Sequence, residues 1–184
     1  GDYIIAATGT MQNADELNRY KLAGTSITNN KPAGNPVLNQ AGLKKLQYKA
    51  ENVHDFAWFA DKNFKIRYSI AQLKSGKQID LFSFYKSSNE SNWNISLLNM
   101  SKVVSFLSDK IGEYPYPVVN AVEGIENSFS GGMEYPMICL INFNYDLPGT
   151  ITHEVAHNWF YGIVASNERE HAWMDEGFTS FFTQ

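Results

Sequence analysis

The spacing of the apolar residues changes near residue 90, and this change most constrains the fold of the chain. Before it, every second residue from Phe64 to Ile70 is apolar, which is typical of a β-strand with one buried face. After it, apolar residues recur at spacings of four and three, which predicts an amphipathic helix facing a core. The residues of this stripe are Trp93, Leu97, Met100, Val104, Leu107 and Ile111. The sequence therefore predicts an α+β fold in which strands precede helices.

The same pattern predicts further elements on both sides of this change. Residues 1–86 are predicted to form a sheet of mostly antiparallel strands joined by short turns. Within them, residues 8–40 contain few large apolar side chains and are predicted to be a long surface loop or hairpin tips. The other predicted strands are residues 3–7, 79–85, 118–122 and 137–143, and the other predicted helices are residues 150–161 and 175–182.

Composition and charge narrow the classes of function. The net charge is −4 and the 15 basic residues are scattered along the chain, which argues against a nucleic-acid partner. No stretch of about 18 apolar residues is present, so no membrane span is predicted. The chain begins without methionine and stops inside a predicted helix, so we expect a fragment of a longer protein.

The strongest chemical signal is the sequence His153-Glu154-Val155-Ala156-His157 within a predicted helix. Residues four apart on a helix share one face, so the two imidazoles can bind one cation. A catalytic zinc site has three protein ligands and one open position. The carboxylate next to the first histidine can reach a metal-activated water and act as its general base. His153 and His157 are thus predicted metal ligands, and Glu154 is the predicted catalytic base.

A third ligand makes this prediction more specific, because an HExxH sequence alone also arises by chance. Glu176 follows His157 after 18 intervening residues, in the sequence WMDEGF. A loop and a second helix can return it to the metal, although a helical glutamate is usually a solvated surface charge. We therefore predict one Zn²⁺ per chain, with Glu176 as the third ligand. Asp175 and Glu170 could orient a ligand imidazole, or they could be a helix cap and a surface charge.

A second sequence block, GGMEYP at residues 131–136, lies about twenty residues before the predicted zinc helix. Together with HEVAHNWF and MDEGF, it resembles the aminopeptidase N family of zinc metallopeptidases, which are gluzincins, and bacterial members in particular. The resemblance is sharpest over residues 131–182. Segments such as VHDFAWFADK extend a weaker similarity to most of the chain.

The resemblance implies an N-terminal β-saddle domain followed by a thermolysin-like zinc catalytic domain. Residues 1–86 would be the last part of the saddle, and residues 87–184 the truncated first part of the catalytic domain. It also implies that Glu134 receives the free N-terminal amine of a peptide substrate, and that Gly131, Gly132 and Met133 run beside the peptide backbone. The chemistry agrees, since a carboxylate pairs with an ammonium and glycine permits close backbone approach. The implied function is a zinc-dependent aminopeptidase.

The chain departs from the family pattern in ways that leave questions open. Tyr135 stands where asparagine is common, and Tyr161-Gly162 replaces the usual Gly-Asn, which puts the shape of the first specificity pocket in doubt. The transition-state tyrosine of the family lies downstream of the third ligand. No such role is therefore assigned to Tyr135, Tyr145 or Tyr161, and the chain alone is expected to have little activity.

Other functions remain open at this stage. The chain could belong to a zinc endopeptidase or another zinc hydrolase on the same scaffold, or it could be an inactive fragment that binds peptides. The residue preference, the oligomeric state and the compartment are not predicted. The similarity to bacterial members that have exported forms favours an extracytoplasmic location.

Overall fold

A computed structural model describes residues 2–26, 30–125, 131–142 and 146–184. The described strands are β1 (Ile4–Ala7), β2 (Thr10–Met11), β3 (Tyr48–Lys49), β4 (Trp58–Asp61), β5 (Phe64–Gln72), β6 (Gln78–Lys86), β7 (Val118–Glu123), β8 (Gly132–Tyr135) and β9 (Ile138–Ile141). The described α-helices are α1 (Ala14–Thr25), α2 (Glu90–Trp93), α3 (Ser96–Lys110), α4 (Leu147–His157) and α5 (Glu176–Thr183). A π-helical segment, Asn158–Ile163, continues α4.

The largest described sheet has five strands in the order β5-β6-β7-β9-β8. β7 pairs parallel with β6 on one side and with β9 on the other, whereas the two outer pairs are antiparallel. All six residues of β7 are buried, as expected for a strand covered on both faces. Helix α3 packs over β5 and β6, and α4 packs over β8 and β9, so the core lies between the sheet and these two helices. The fold is a mixed α/β structure.

The predicted sheet within residues 1–86 differs from the structure in its extent. The pairs β1–β4, β2–β3 and β5–β6 are antiparallel, as predicted, but the first two form separate two-stranded sheets. The predicted division between residues 86 and 87 stays a prediction. β6 and β7 lie on opposite sides of it and pair in register, with Asp80 opposite Val118. A boundary there would separate two paired strands of one sheet.

The prediction of a long loop over residues 8–40 is wrong, because α1 lies within it. The apolar face of α1 is small and consists mainly of Tyr20, Ala23 and Gly24, so its periodicity is weak. The helix docks by close backbone approach to β5, since a Cβ added at Gly24 would lie 2.4 Å from the Cβ of Tyr68. Its buried Glu16 is neutralised by basic neighbours. α1 is therefore stabilised by these individual tertiary contacts and not by the burial of an apolar stripe.

The single helix predicted from Trp93 is divided into α2 and α3. The hydroxyl group of Ser96 donates a hydrogen bond to the Trp93 carbonyl (2.7 Å) and lies 2.7 Å from the hydroxyl of Ser83, which pins the junction to β6. Most of the predicted stripe is buried, but Ile111 is 40% exposed because α3 ends at Lys110.

The remaining helices and strands lie near their predicted positions. The predicted strand at residues 137–143 is present as β9, while Phe143 and Tyr145 lie outside the described residues. The predicted helices at 150–161 and 175–182 are α4 with its π-helical continuation, and α5. In the described part of the chain, no helix has the length and apolar character needed to cross a membrane.

Candidate active site

Helix α4 places the two histidines of the HExxH sequence on the side that faces the start of α5 and not the sheet. Asp146 caps the helix, and its carboxylate accepts a hydrogen bond from the N–H of Gly149 (3.1 Å). Ile151 and Val155 are fully buried against the sheet side. His153 lies two residues after Ile151, and therefore on a different side of the helix. Its imidazole lines an open cleft.

Three side chains from α4 and α5 converge at the mouth of this cleft. The Nε2 atoms of His153 and His157 are 3.1 Å apart. The Oε2 atom of Glu176 lies 3.1 Å from Nε2 of His153 and 3.8 Å from Nε2 of His157. Tetrahedral zinc with bonds of about 2.0–2.1 Å separates its ligand atoms by about 3.3 Å. The donor set and its spacing therefore fit one zinc ion, although zinc binding by these residues stays a prediction.

The ring of His157 is held by two buried side chains at the start of α5. Asp175 forms a short hydrogen bond with Nδ1, and the hydroxyl of Thr179 lies 3.1 Å from the same atom. Since a carboxylate only accepts, Nδ1 carries the proton, which leaves Nε2 of the neutral imidazole as the atom that can bind a metal. The sequence left two roles open for Asp175, as a helix cap or as a side chain that orients a ligand imidazole. The contact with Nδ1 of His157 is the second of these. Glu170 is exposed and makes no such contact within the described residues.

The two imidazoles have opposite pKa shifts. Burial lowers the pKa of His157, but the hydrogen bond to Asp175 and the charge of Glu134 outweigh this effect and the pKa is raised. Burial and the neighbouring His157 lower the pKa of His153. His153 is therefore the imidazole more readily neutral, which is the form that binds a metal.

Glu154 lies deeper in the same cleft, against β8. Its Oε2 atom is buried and has no hydrogen-bond partner among the described residues. Burial raises the pKa of Glu154 to about 8, and the charge of Glu134 adds to this shift. A Cβ added at Gly132 would lie 2.4 Å from Oε1 of Glu154, so only glycine leaves the carboxylate its present place. An unpaired buried carboxylate oxygen is rare and indicates a site for a ligand or water.

Glu134 comes from β8, on the opposite wall of the cleft. Glu134 is only 7% exposed, and its carboxylate accepts a hydrogen bond from its own backbone N–H. Burial raises the pKa of Glu134. The cleft has a volume of about 380 Å³. It is lined by Gly131, Gly132, Glu134, Gly149, Thr150, His153, Glu154 and Glu176.

Most of the predicted site residues are thus brought together, with one exception. Met133 does not line the cleft, because alternate side chains of a strand point to opposite faces. Tyr135 is similarly directed elsewhere, and its ring packs against Phe59 at 6.3 Å. Tyr161 is buried, and its hydroxyl donates a hydrogen bond to Asp55 (3.2 Å).

Asn158, the first residue of the π-helical segment, was not predicted to be a site residue. Its side-chain oxygen accepts a hydrogen bond from the N–H of Met137 (2.9 Å), and its amide donates to the Val155 carbonyl (3.0 Å). It therefore ties the turn between β8 and β9 to the end of α4. A polar residue at the start of an aromatic run, directly after the HExxH sequence, was the available signal.

The chain is similar in sequence to known aminopeptidases over part of its length. No family model matches it. The chain is 26% identical over 117 residues to leucine aminopeptidase 2 of Lodderomyces elongisporus, which covers 61% of this chain and 18% of that protein. It is 36% identical over 56 residues to aminopeptidase B of Rattus norvegicus, which covers 28% of this chain and 9% of that protein.

Solved structures show the same fold over the whole chain. An M1 zinc metallopeptidase from Deinococcus radiodurans has a TM-score of 0.73 at 16% identity, covering 100% of this chain and 37% of that one. A mutant of that protein, solved with a Tyr-Ser-Ala substrate, has a TM-score of 0.70 at 15% identity, covering 99% and 37%. The chain therefore spans well under half the length of the proteins it matches.

Proposed function

We propose that this chain carries the zinc-binding and amine-binding part of an aminopeptidase. The premise is its resemblance, in sequence and in fold, to the M1 zinc metallopeptidases of the aminopeptidase N family. The matched relatives are aminopeptidases, which are hydrolases of peptide bonds. One observation carries the proposal. Three ligand atoms lie at tetrahedral spacing beside two buried carboxylates, Glu154 and Glu134, in one cleft.

His153, His157 and Glu176 would hold one Zn²⁺ ion. When bound, zinc supplies a Lewis acid that polarises the scissile carbonyl group and lowers the pKa of the attacking water. Glu154 takes the proton from this water and delivers it to the leaving amine. The unpaired Oε2 atom of Glu154 supports this role, because it is free to accept a hydrogen bond from a water in the cleft.

Glu134 binds the N-terminal ammonium group of the substrate. A carboxylate that is mostly buried and faces the cleft favours a cationic ligand. Gly131 and Gly132 leave room for the substrate backbone to lie along β8. Because the ammonium group is fixed next to the proposed zinc ligands, the first peptide bond reaches the reacting centre and one residue is removed at a time.

The base is tested with Glu154→Gln in the full-length, zinc-loaded protein. Turnover of a free-amine peptide should fall by about 10²–10⁴-fold, because the proton acceptor is lost. Zinc content, measured by elemental analysis, should stay at that of the unmodified protein, because Glu154 is not a proposed ligand. Glu170→Gln, at an exposed glutamate outside the cleft, is the matched control and should retain full turnover. Unchanged turnover in Glu154→Gln would refute the role.

Substrate comparison separates the aminopeptidase from the alternatives. Free peptides should be cleaved and N-acetylated peptides should not, since acetylation removes the charge that Glu134 binds. Equal cleavage of both would indicate an endopeptidase. Peptide binding without turnover in a zinc-replete protein would indicate a binding domain, and absence of zinc would refute the metal site.

A further inference from the structure

A second group of buried polar side chains adjoins the proposed zinc site. Glu134, His157 and Asp175 each present an atom within 4.8 Å of the other two. Their exposed fractions are 7%, 0% and 2%. Two carboxylates from separate elements, β8 and the start of α5, therefore meet at one imidazole.

This group has more negative charge than the orientation of His157 requires. Asp175 accepts the Nδ1 proton of His157, and an asparagine side-chain oxygen would also accept it and orient the ring, although in a weaker hydrogen bond. His157 with its proton on Nδ1 and its Nε2 turned to a metal has no formal charge of its own. The charge of Asp175 therefore strengthens the hydrogen bond but is not needed to orient the ring.

Two carboxylates this close in a buried site repel each other unless a cation is bound near both. Asp175 is among the groups that raise the pKa of Glu134, after burial itself. Glu134 lines the cleft and Asp175 lies behind it, so a cation entering the cleft contacts Glu134 and is attracted by both charges. The proposed ligands of zinc lie on the other edge of His157, through Nε2.

We propose that Asp175 is a second carboxylate of the amine-binding site, which attracts the substrate's N-terminal ammonium group from behind Glu134 while it orients His157. Asp175 is then a positioning residue that acts through charge and does not touch the substrate. This inference rests on the proposed function, since it assumes that the ammonium group binds at Glu134.

The test measures a preference for the amine in the full-length protein at saturating zinc. Competitive inhibition constants are determined for leucinamide and for 4-methylpentanamide, the same amide without the amino group. In Asp175→Asn, the ratio of the two constants should fall by about tenfold or more, as expected for losing one charge near the ammonium at an effective dielectric constant of about 20. The inhibition constant for 4-methylpentanamide should be unchanged.

Thr179→Val is the matched control. It removes the other contact to Nδ1 of His157 and leaves the charges around Glu134 in place, so the ratio should be that of the unmodified protein. Zinc affinity is measured in parallel by competition with a chelator. An equal loss of affinity for both amides in Asp175→Asn would overturn the inference, because Asp175 would then act on the metal ligand alone.

A second variant and the unmodified protein provide two further tests. If Asp175→Asn does not fold, Glu134→Gln provides the second measurement. It leaves Asp175 in place and should retain part of the amine preference, so complete loss of that preference would contradict the role. An unmodified protein without any amine preference would refute the proposed aminopeptidase function itself. A normal preference that Asp175→Asn leaves intact would refute only this inference.

Discussion

At the scale of single residues, the position of Glu154 depends on the absence of a side chain at Gly132. An added Cβ would lie 2.4 Å from Oε1, 2.6 Å from Cδ and 2.7 Å from Cγ of Glu154. These distances are far below van der Waals contact, so the Glu154 carboxylate can occupy its present position only with glycine at 132. The neighbouring Gly131 has no such constraint, since an added Cβ there would meet no atom within 4 Å.

Gly132→Ala should therefore displace the Glu154 carboxylate without removing any charged group. We expect turnover to fall by about 10²-fold, as for a misplacement of about 1 Å at a reacting group. Zinc content should be retained, because the three proposed ligands lie on α4 and α5. Steady-state kinetics and elemental analysis check both expectations.

Gly112→Ala is the control for this substitution, because Gly112 lies outside the cleft and an added Cβ there would meet no atom within 4 Å, so this variant should have the turnover of the unmodified protein. Normal turnover in Gly132→Ala would mean that the carboxylate of Glu154 is not required at its present place, and the proposed base would then be wrong.

Helix geometry explains how much of the site the sequence could predict. His153 and His157 are four residues apart on one helix, so their convergence follows from the helical repeat. The contacts made by Asn158 and Asp175 could not be predicted from the sequence in the same way. Asn158 binds the backbone of Met137, 21 residues away, and its partner is a main-chain N–H that no sequence pattern reveals. Asp175 was recognised as a candidate, but only the structure distinguishes an orienting contact from a helix cap.

At the scale of elements, one asparagine joins the amine-binding strand to the proposed zinc helix. Met137, in the turn from β8 to β9, has a positive φ of 64° and its N–H points to the Asn158 side chain. Tyr114 lies 3.4 Å from the same oxygen atom of Asn158. The turn therefore depends on a buried acceptor supplied by the end of α4.

Asn158→Ala should lower the free energy of unfolding by about 1–3 kcal/mol, because the buried N–H of Met137 is left without a partner. Denaturant unfolding followed by circular dichroism measures this change. Asn92→Ala is the matched control. Asn92 is exposed on α2 and makes no side-chain hydrogen bond within the described residues, so its removal should change stability by less than about 0.5 kcal/mol. Equal stability of the two variants would contradict the role of Asn158.

The elements also show where sequence patterns succeed and where they do not. The alternation predicts β5 almost to its ends, and Phe64 and Ile66 are buried as it indicates, but Ile70 is 46% exposed and Ala71 is buried in its place. The parallel pairings of β6 with β7 and of β7 with β9 were not predicted, because they depend on the connections through α3 and through β8 and not on local sequence. α1 was missed because its packing uses Gly24 and a neutralised Glu16 in place of an apolar stripe.

At the scale of the whole molecule, the proposed zinc site joins the last described helix to the rest of the fold. α5 has eight residues, fewer than an isolated helix needs to be stable in water. Phe178 and Phe182 stack on Phe160 at centroid distances of 5.8 and 5.1 Å, and Thr179 contacts His157. Glu176 on α5 would add a further link through the ion to both histidines of α4.

Zinc should therefore stabilise the folded protein by linking α4 and α5. At a free zinc concentration 100 times the dissociation constant, the expected gain in unfolding free energy is about 2.7 kcal/mol, because the ion binds the folded state preferentially. Thermal unfolding with zinc and with a chelator measures the difference. His153→Ala should abolish most of it, since one of three ligands is lost. His171→Ala, at an exposed histidine outside the cluster, should retain it. Equal stabilisation of His153→Ala and the unmodified protein would place the bound zinc elsewhere, and the convergence of the three side chains would then need another explanation.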